Sequence, residues 1–105
     1  MIKIDIESGK YDLDDDLKKR ITDRFGNLDE YMNSLDAGRV TVSWEGGTNE
    51  QTRVNAEVWG GGHQFEASDT NWKATEAIDS TRGKLESQIT REHSKELDKR
   101  DHHAH

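Results

Sequence analysis

Apolar residues are sparse in this sequence, but their spacing is regular enough to predict where its helices and strands lie. Near the start, Ile2, Ile4 and Ile6 alternate with polar residues, which predicts a half-buried strand. Across residues 13–35, apolar residues recur at steps of three and four, which predicts an amphipathic helix with one apolar face. This stripe consists of Leu13, Leu17, Ile21, Phe25, Leu28, Met32 and Leu35.

Three further segments alternate apolar and polar side chains and are each too short for a helix, which predicts three more strands. Glycine-rich segments separate them and predict tight turns, so the three strands form a meander of hairpins. The strands are expected over residues 39–45, 53–59 and 64–68, with turns at residues 46–49 and 60–62.

A second helix is predicted from about residue 71 to near residue 100, with Asp69 or Thr70 as its N-cap. Its apolar stripe consists of Ala74, Ile78, Leu85 and Ile89. Glu92 and Glu96 then continue the same face. The last turns of this helix are therefore expected to extend past the sheet and to lie in solvent.

The element order is β-α-β-β-β-α, which predicts one α+β domain over residues 1–100 and a flexible, histidine-containing tail over residues 101–105. Because each helix has one apolar face, both are expected to cover the same face of a four-stranded sheet. The other sheet face is then open. The residues expected to be buried include Leu17, Ile21, Phe25, Leu28, Ile78, Leu85 and Ile89.

Composition narrows the class of protein further. Only 30% of the 105 residues are hydrophobic and 35% are charged, so the core is expected to be thin and the stability modest. There is no cysteine, which excludes disulfides and thiol chemistry. No apolar run approaches the ~18 residues of a membrane span, and the alternating first residues do not resemble a signal peptide. We therefore expect a cytoplasmic protein without membrane contact.

No arrangement of residues indicates an enzyme. The glycines at 60–62 lack the Lys-Ser/Thr of a phosphate-binding loop and lie in a predicted hairpin. The acidic run at 14–16 is explained by helix capping and by the favourable interaction of carboxylates with a helix N-terminus. His102, His103 and His105 are able to chelate a metal loosely, but a disordered polar tail is the favoured interpretation. We predict no catalytic residue, no cofactor and no metal site.

The net charge of −7 argues against indiscriminate binding to nucleic acid, because phosphate neutralisation drives such binding. A basic row nevertheless follows the second helix, where Arg91 and Lys95 lie within about 20° of Lys84, beside the apolar stripe. Such a row either follows a phosphate backbone or is an ordinary solvated face of the helix. Periodicity alone slightly favours the solvated face. Arg24 lies within the first apolar stripe, either extending from the core edge or adding to a basic patch between the helices.

The open sheet face is expected to be a poor platform for phosphate, because it carries more acidic than basic groups. Trp59 on this face is either an exposed contact residue or packed over the glycine-rich turn, and packing is favoured. The residues expected on the face are Lys3, Asp5, Glu7, Arg39, Glu45, Arg53, Glu57, Trp59 and Glu66.

Several segments of the sequence, taken together, form a pattern that is typical of a known protein family. They are the opening Ile-x-Ile strand, the runs Leu17–Phe25 and Leu28–Tyr31, the triplet Ala77–Asp79, and Lys84–Ile89 with Arg91. With these segments, and in its element order, the chain resembles the family of ribosome hibernation-promoting factors and ribosome-associated inhibitors over about residues 1–100. The last two segments, at this spacing, are fairly specific to that family.

The resemblance implies a non-catalytic protein that binds the small ribosomal subunit in the channel used by messenger and transfer RNA. Such proteins block translation during starvation or cold, and this chain is similar to the short members without a C-terminal dimerisation domain. The resemblance implies no DNA or membrane partner, and we expect a monomer off the ribosome. Family members bind ribosomal RNA through basic residues, and the matching positions here are Lys18, Arg24, Lys84, Arg91 and Lys95.

Other positions depart from the family pattern. The family often has an acidic residue and a Tyr before its Ala-Ile-Asp run, where this sequence has Lys73 and Thr75. Residues 45–47 are Glu-Gly-Gly in place of a Lys-rich stretch, and acidic residues dilute the basic end of the last helix. The alternative hypothesis is therefore a diverged acidic relative that binds a protein partner and not the ribosome. A coherent basic cleft between the helices favours the ribosome, whereas scattered basic residues favour the partner.

Overall fold

The order of helices and strands agrees with the sequence prediction. The computed structural model describes residues 1–45 and 51–103, so the turn predicted at residues 46–49 lies outside the described residues. The elements are β1 (Lys3–Glu7), α1 (Asp15–Gly26), a short 3-10 helix (Asn27–Glu30), β2 (Ala37–Glu45), β3 (Gln51–Gly60), β4 (His63–Asn71) and α2 (Ala74–His103).

The first helix is shorter than its apolar stripe predicts. Asp14 is its N-cap and accepts a hydrogen bond from the Leu17 amide at 2.8 Å, as capping chemistry requires. The helix ends at Gly26, whose carbonyl accepts a hydrogen bond from the Ile2 amide at 2.8 Å in place of continuing the helical ladder. The rest of the stripe is still buried, because the 3-10 helix and the following turn lie on the same core. Its buried members are Leu28, Met32 and Leu35.

The second helix begins later than predicted, and the expected N-caps Asp69 and Thr70 are wrong. Both residues belong to β4, which stays paired with β3 as far as Asn71. The Asn71 side chain instead accepts a hydrogen bond from the Lys73 amide at 3.0 Å, just before the helix starts. Because strand pairing with β3 continues through residues 69–71, these residues keep the extended conformation of β4, and the helix begins only after them.

The 30 residues of α2 correspond to about 45 Å of helix, in a molecule whose longest dimension is 58 Å. The helix continues through residues 101–103 of the predicted tail, and residues 104 and 105 lie outside the described part. Glu92 and Glu96 are half-buried and not solvated as expected, because they face the start of β4. Among the described residues, no helix combines the length and apolar character needed to cross a membrane.

The strands form one mixed sheet in the order β1-β2-β3-β4, with β1 parallel to β2 and the other neighbours antiparallel. Residues of both helices and of one sheet face form a single core, so both helices cover the same face, as predicted. Leu17 is half-buried at the margin of this core, although the sequence predicted full burial. The largest fully buried side chains include Ile21, Phe25, Leu28, Val40, Val42, Val54, Val58, Ile78, Leu85 and Ile89.

The β3–β4 hairpin packs tightly against the turn that precedes β2. Gly61 and Gly62 have φ of 58° and 82°, and this pair of positive angles is typical of a type I′ turn. Gly60 has φ of 153°, and a Cβ atom there would lie 2.2 Å from the Ser34 carbonyl oxygen. The Asp36 amide also donates to the Trp59 carbonyl at 3.1 Å. The hairpin end is therefore held close to residues 34–36.

Replacing Gly60 by Ala should lower the free energy of unfolding by more than about 2 kcal/mol, because the new methyl group meets backbone atoms at a disfavoured φ. Gly83→Ala is the matched control. A Cβ at Gly83 meets nothing within 4 Å, and a helix-interior Ala should raise stability by about 0.5–1 kcal/mol. Urea unfolding followed by circular dichroism measures both. Equal effects of the two substitutions would contradict the packing of the hairpin.

Candidate nucleic-acid interface

The basic row predicted on α2 lies on the side of the helix that faces β4. Lys84 Nζ donates to the Ser68 carbonyl at 3.0 Å, and Gln88 Nε2 donates to the Glu66 carbonyl at 2.9 Å. Both carbonyls belong to β4, which is an edge strand of the sheet. Because unpaired backbone groups make a sheet edge prone to association, these bonds also protect the edge. Lys84 therefore helps to hold α2 along β4.

Arg91 and Lys95 continue the row beyond Lys84 and are exposed. Neither forms an ion pair within the part of the chain that the structure describes. Lys84, in contrast, lies 3.4 Å from an Asp69 carboxylate oxygen. The two residues farther along the helix are thus the ones whose charge is most accessible to a phosphate group.

Arg24 lies in the groove between α1 and α2, together with Arg20. The Arg20 guanidinium is 2.6 Å from one carboxylate oxygen of Asp79, and Arg24 Nε is 3.4 Å from the other. Asp79 is on α2, so these ion pairs cross the groove. The side chain of Arg24 is 49% exposed, which leaves part of its guanidinium open to a ligand.

Arg82 joins the two helices from the α2 side of the groove. Its Nε donates to the Arg24 carbonyl at 3.3 Å, near the C-terminus of α1, where the helix dipole favours a positive charge. Its guanidinium lies 5.6 Å from the centroid of the Tyr31 ring, a cation–π distance. It also pairs with Glu86, four residues along α2. Most of the charge of Arg82 is therefore used within the protein.

The five predicted residues do not form one patch. Lys84, Arg91 and Lys95 share one flank of α2, and Arg24 lies in the groove on the other flank. Lys18 is exposed and lies about 120° from Arg24 around α1. The cationic side chains are therefore distributed over three surfaces.

The groove arginines Arg20 and Arg82 were missed as site candidates, although the sequence contains a signal for both. Arg20 is four residues before Arg24 and borders the same apolar stripe, while Arg82 borders the α2 stripe. Asp79 and Glu86 offset these charges. The groove thus holds a cluster of partly neutralised arginines. This arrangement is intermediate between the coherent basic cleft expected for ribosome binding and the scattered basic residues expected for a protein partner.

The open sheet face carries the residues predicted for it. Strand register aligns Asp5, Arg39, Glu57 and Glu66 across the four strands. Arg39 lies 3.7 Å from Glu7, and the second arginine of the face is also paired with a glutamate. This face is therefore unfavourable for phosphate.

The three tryptophans differ in their exposure to solvent. Trp59 is half-buried and sits beside the glycine turn. Trp44 is 52% exposed and its ring centroid lies 4.4 Å from that of Tyr11, while Trp72 is 63% exposed. The exposed tryptophans are near the end of the sheet where β4 leads into α2.

The fold and these surfaces define a small α+β domain with charged helix flanks over one face of a four-stranded sheet. The chain belongs to the family described as Sigma 54 modulation protein / S30EA ribosomal protein, whose sequence model matches residues 4–96. This match confirms the resemblance to the hibernation-promoting factor family. No curated protein gives a significant match to this chain.

Two solved structures share the fold. The N-terminal domain of Protein Y from Thermus thermophilus has a TM-score of 0.74 at 21% identity, covering 87% of this chain and 98% of that one. A ribosomal subunit interface protein from Coxiella burnetii has a TM-score of 0.74 at 14% identity, covering 89% and 99% respectively. At these identities the likeness establishes the architecture alone.

Replacing Arg82 by Ala should lower the free energy of unfolding by about 1–2 kcal/mol, because it removes the cation–π contact and the hydrogen bond to α1. Arg91→Ala on the same helix is the control and should change it by less than about 0.5 kcal/mol. Urea denaturation curves of the two variants provide the comparison. Equal losses would show that Arg82 does not couple the helices.

Asp69 should contribute to the pH dependence of stability. Hydrogen bonds from the Ser80 side chain and the Thr70 amide, with the nearby charge of Lys84, hold the pKa of Asp69 below its ordinary 3.8. A folded-state pKa below the unfolded value stabilises the protein above the unfolded pKa, and this contribution is lost as the pH falls through the folded pKa. Asp69→Asn should therefore be less stable at neutral pH and lose less stability on acidification. Parallel acid-denaturation profiles would contradict this role.

Proposed function

We propose that this protein is a non-catalytic ribosome-binding factor that occupies the mRNA and tRNA channel of the small ribosomal subunit and silences translation under stress. The observation that carries the proposal is family membership over residues 4–96. The description of the Coxiella burnetii relative as a ribosomal subunit interface protein is consistent with it. A protein with this function acts in the cytoplasm, where the ribosome is.

Occlusion needs affinity and shape but makes or breaks no covalent bond. Lys84, Arg91 and Lys95 span roughly 16 Å along α2, a distance that covers several phosphates of a nucleic-acid strand. We assign the main phosphate contacts to this flank. Arg91 and Lys95 are the most accessible of the three, while Lys84 shares its charge with Asp69.

A second contact is assigned to the groove between the helices. Arg24 is half-exposed there, and Arg20 lies beside it on the same helix. Asp79 neutralises part of both charges, so a phosphate that approaches the groove competes with this carboxylate. Lys18, on the far side of α1, extends the proposed set to a separate surface. Such a distribution suits an RNA channel that surrounds the domain more than a flat RNA surface.

Affinity for the ribosome should be modest. The proposed set offers few phosphate contacts, and the net charge of −7 repels RNA at long range. Each phosphate contact releases counterions, so binding weakens as salt increases. The protein should accordingly dissociate at a lower salt concentration than a basic relative.

The second candidate function is binding to a protein partner without the ribosome. The acidic open sheet face favours it, because Glu57 and Glu66 lie opposite one another on β3 and β4 and Asp5 lies in the same row. An acidic face of this kind suits a basic protein surface. The two functions differ in their dependence on salt and on the α2 flank.

Purified small subunits should co-sediment with the protein at low salt, and initiator transfer RNA should compete. Arg91→Gln/Lys95→Gln should reduce the slope of log affinity against log salt by about one for each cation removed. Lys84 is left in place because it holds α2 to the sheet edge. The matched control, Lys3→Gln/Lys10→Gln, removes the same charge at the opposite edge of the sheet and should retain the wild-type slope.

Two results would contradict the proposal. One is the absence of co-sedimentation at every salt concentration that keeps ribosomes intact. The other is binding that ignores both salt and the α2 substitutions, which would support the protein-partner function.

A further inference from the structure

Three side chains that could ligate a metal meet where the C-terminal half of α2 passes the start of β4. They are His63, directly after the turn between β3 and β4, and Glu92 and Glu96 of α2. One ligand atom from each lies within 4.8 Å of the others, and all three residues are half-buried. His63 Nε2 and a carboxylate oxygen of Glu96 are 2.9 Å apart. These residues take no part in the proposed ribosome contacts.

We propose that His63, Glu92 and Glu96 form a zinc-binding site. One imidazole nitrogen with two carboxylate oxygens is a donor set that Zn²⁺ accepts, with water in the fourth position of a tetrahedron. Magnesium and calcium prefer oxygen ligands alone, so the histidine selects against them. This proposal departs from the expectation from the sequence, which was that the folded domain has no metal site.

The spacing of the three ligand atoms suits a metal ion. Zinc-bound nitrogen and oxygen atoms lie about 2.0–2.2 Å from the ion, which puts tetrahedral ligands about 3.4 Å apart. In the structure these atoms lie within 4.8 Å of one another. Small side-chain rotations are enough to bring them to the shorter separation that zinc requires. Glu92 and Glu96 are one helical turn apart, so their carboxylates lie on the same side of α2.

The elements that carry the ligands are already held in position. The His63 ring is nearly parallel to that of Phe65, with an interplanar angle of 7° and centroids 6.1 Å apart. Gln88 bonds to the β4 edge one turn before Glu92, which sets the path of α2 over the hairpin. A divalent cation would also relieve the repulsion between the two carboxylates.

Zinc would join elements that are distant in sequence. It would fasten the second half of α2 to the β3–β4 hairpin, and so set the direction of the segment that carries Arg91 and Lys95. The site is independent of the proposed function, because zinc binding needs no ribosome. Its expected signature is a gain in stability of the free protein.

Isothermal titration with zinc chloride tests the site in the full chain. The sequence offers His102, His103 and His105 as alternative zinc ligands, so a triple His→Ser variant at these positions serves as the parent. The parent should bind one zinc per chain and show a melting temperature higher by on the order of 10 °C at a hundredfold excess over Kd. Cobalt in place of zinc should give the intense visible absorption of a tetrahedral complex.

Substitutions in this parent locate the ion. His63→Gln and Glu96→Gln should each weaken zinc binding at least about tenfold, since each removes a ligand. His93→Gln on the exposed side of α2 is the matched control and should bind like the parent. Metal-free circular dichroism should show that all variants are folded. Glu92→Gln provides the same test if His63→Gln fails to fold.

Three outcomes would overturn the proposal. The first is loss of zinc binding in the triple variant, which would place the ion on the terminal histidines. The second is wild-type affinity in both His63→Gln and Glu96→Gln. The third is an absence of any zinc-dependent change in melting temperature, which would leave only a direct contact between His63 and Glu96.

Discussion

The structure depends on one constraint, which is that a sequence with few apolar residues has only one sheet face to bury. Both helices must cover that face, because neither has a second apolar surface and the other sheet face is charged. Ile21 and Phe25 of α1 therefore belong to the same buried core as Leu85 and Ile89 of α2. The helices lie side by side, and their polar flanks form the groove and the two outer edges of the molecule.

The distribution of charge follows from this packing. On α2, the flank toward α1 carries Arg82, which bonds to the end of α1, and the flank toward β4 carries Lys84, which bonds to the sheet edge. Cations next to the core are thus used in part to hold elements together. Farther along α2, Arg91 and Lys95 are exposed and form no ion pair with the residues that the structure describes, so their charge stays accessible. This division explains how an acidic protein can present a limited basic surface, the one to which the RNA contacts are proposed.

The length of α2 connects the proposed RNA contacts with the proposed zinc site. The helix is antiparallel to β4, since successive contacts pair Lys84 with Ser68, Gln88 with Glu66 and Glu96 with His63. Its second half therefore passes over the β3–β4 hairpin, which glycine residues hold against the turn before β2. The same segment carries the exposed cations on its flank and the two glutamates on the face that continues the apolar stripe toward the hairpin.

The sequence by itself determined the element order, the common face of both helices and the residues of the open sheet face. Periods of two and of about 3.6 residues are local properties that a chain displays before it folds. The sequence did not reveal the end of α1 at Gly26 or the extension of β4 to Asn71, because hydrogen bonds to distant segments determine both. The partners of Arg24 and the meeting of His63 with Glu92 and Glu96 were also decided by tertiary structure alone. A helical wheel gives an angle around one axis, but contact requires two elements to pack at a particular register, and only the shared core establishes that register.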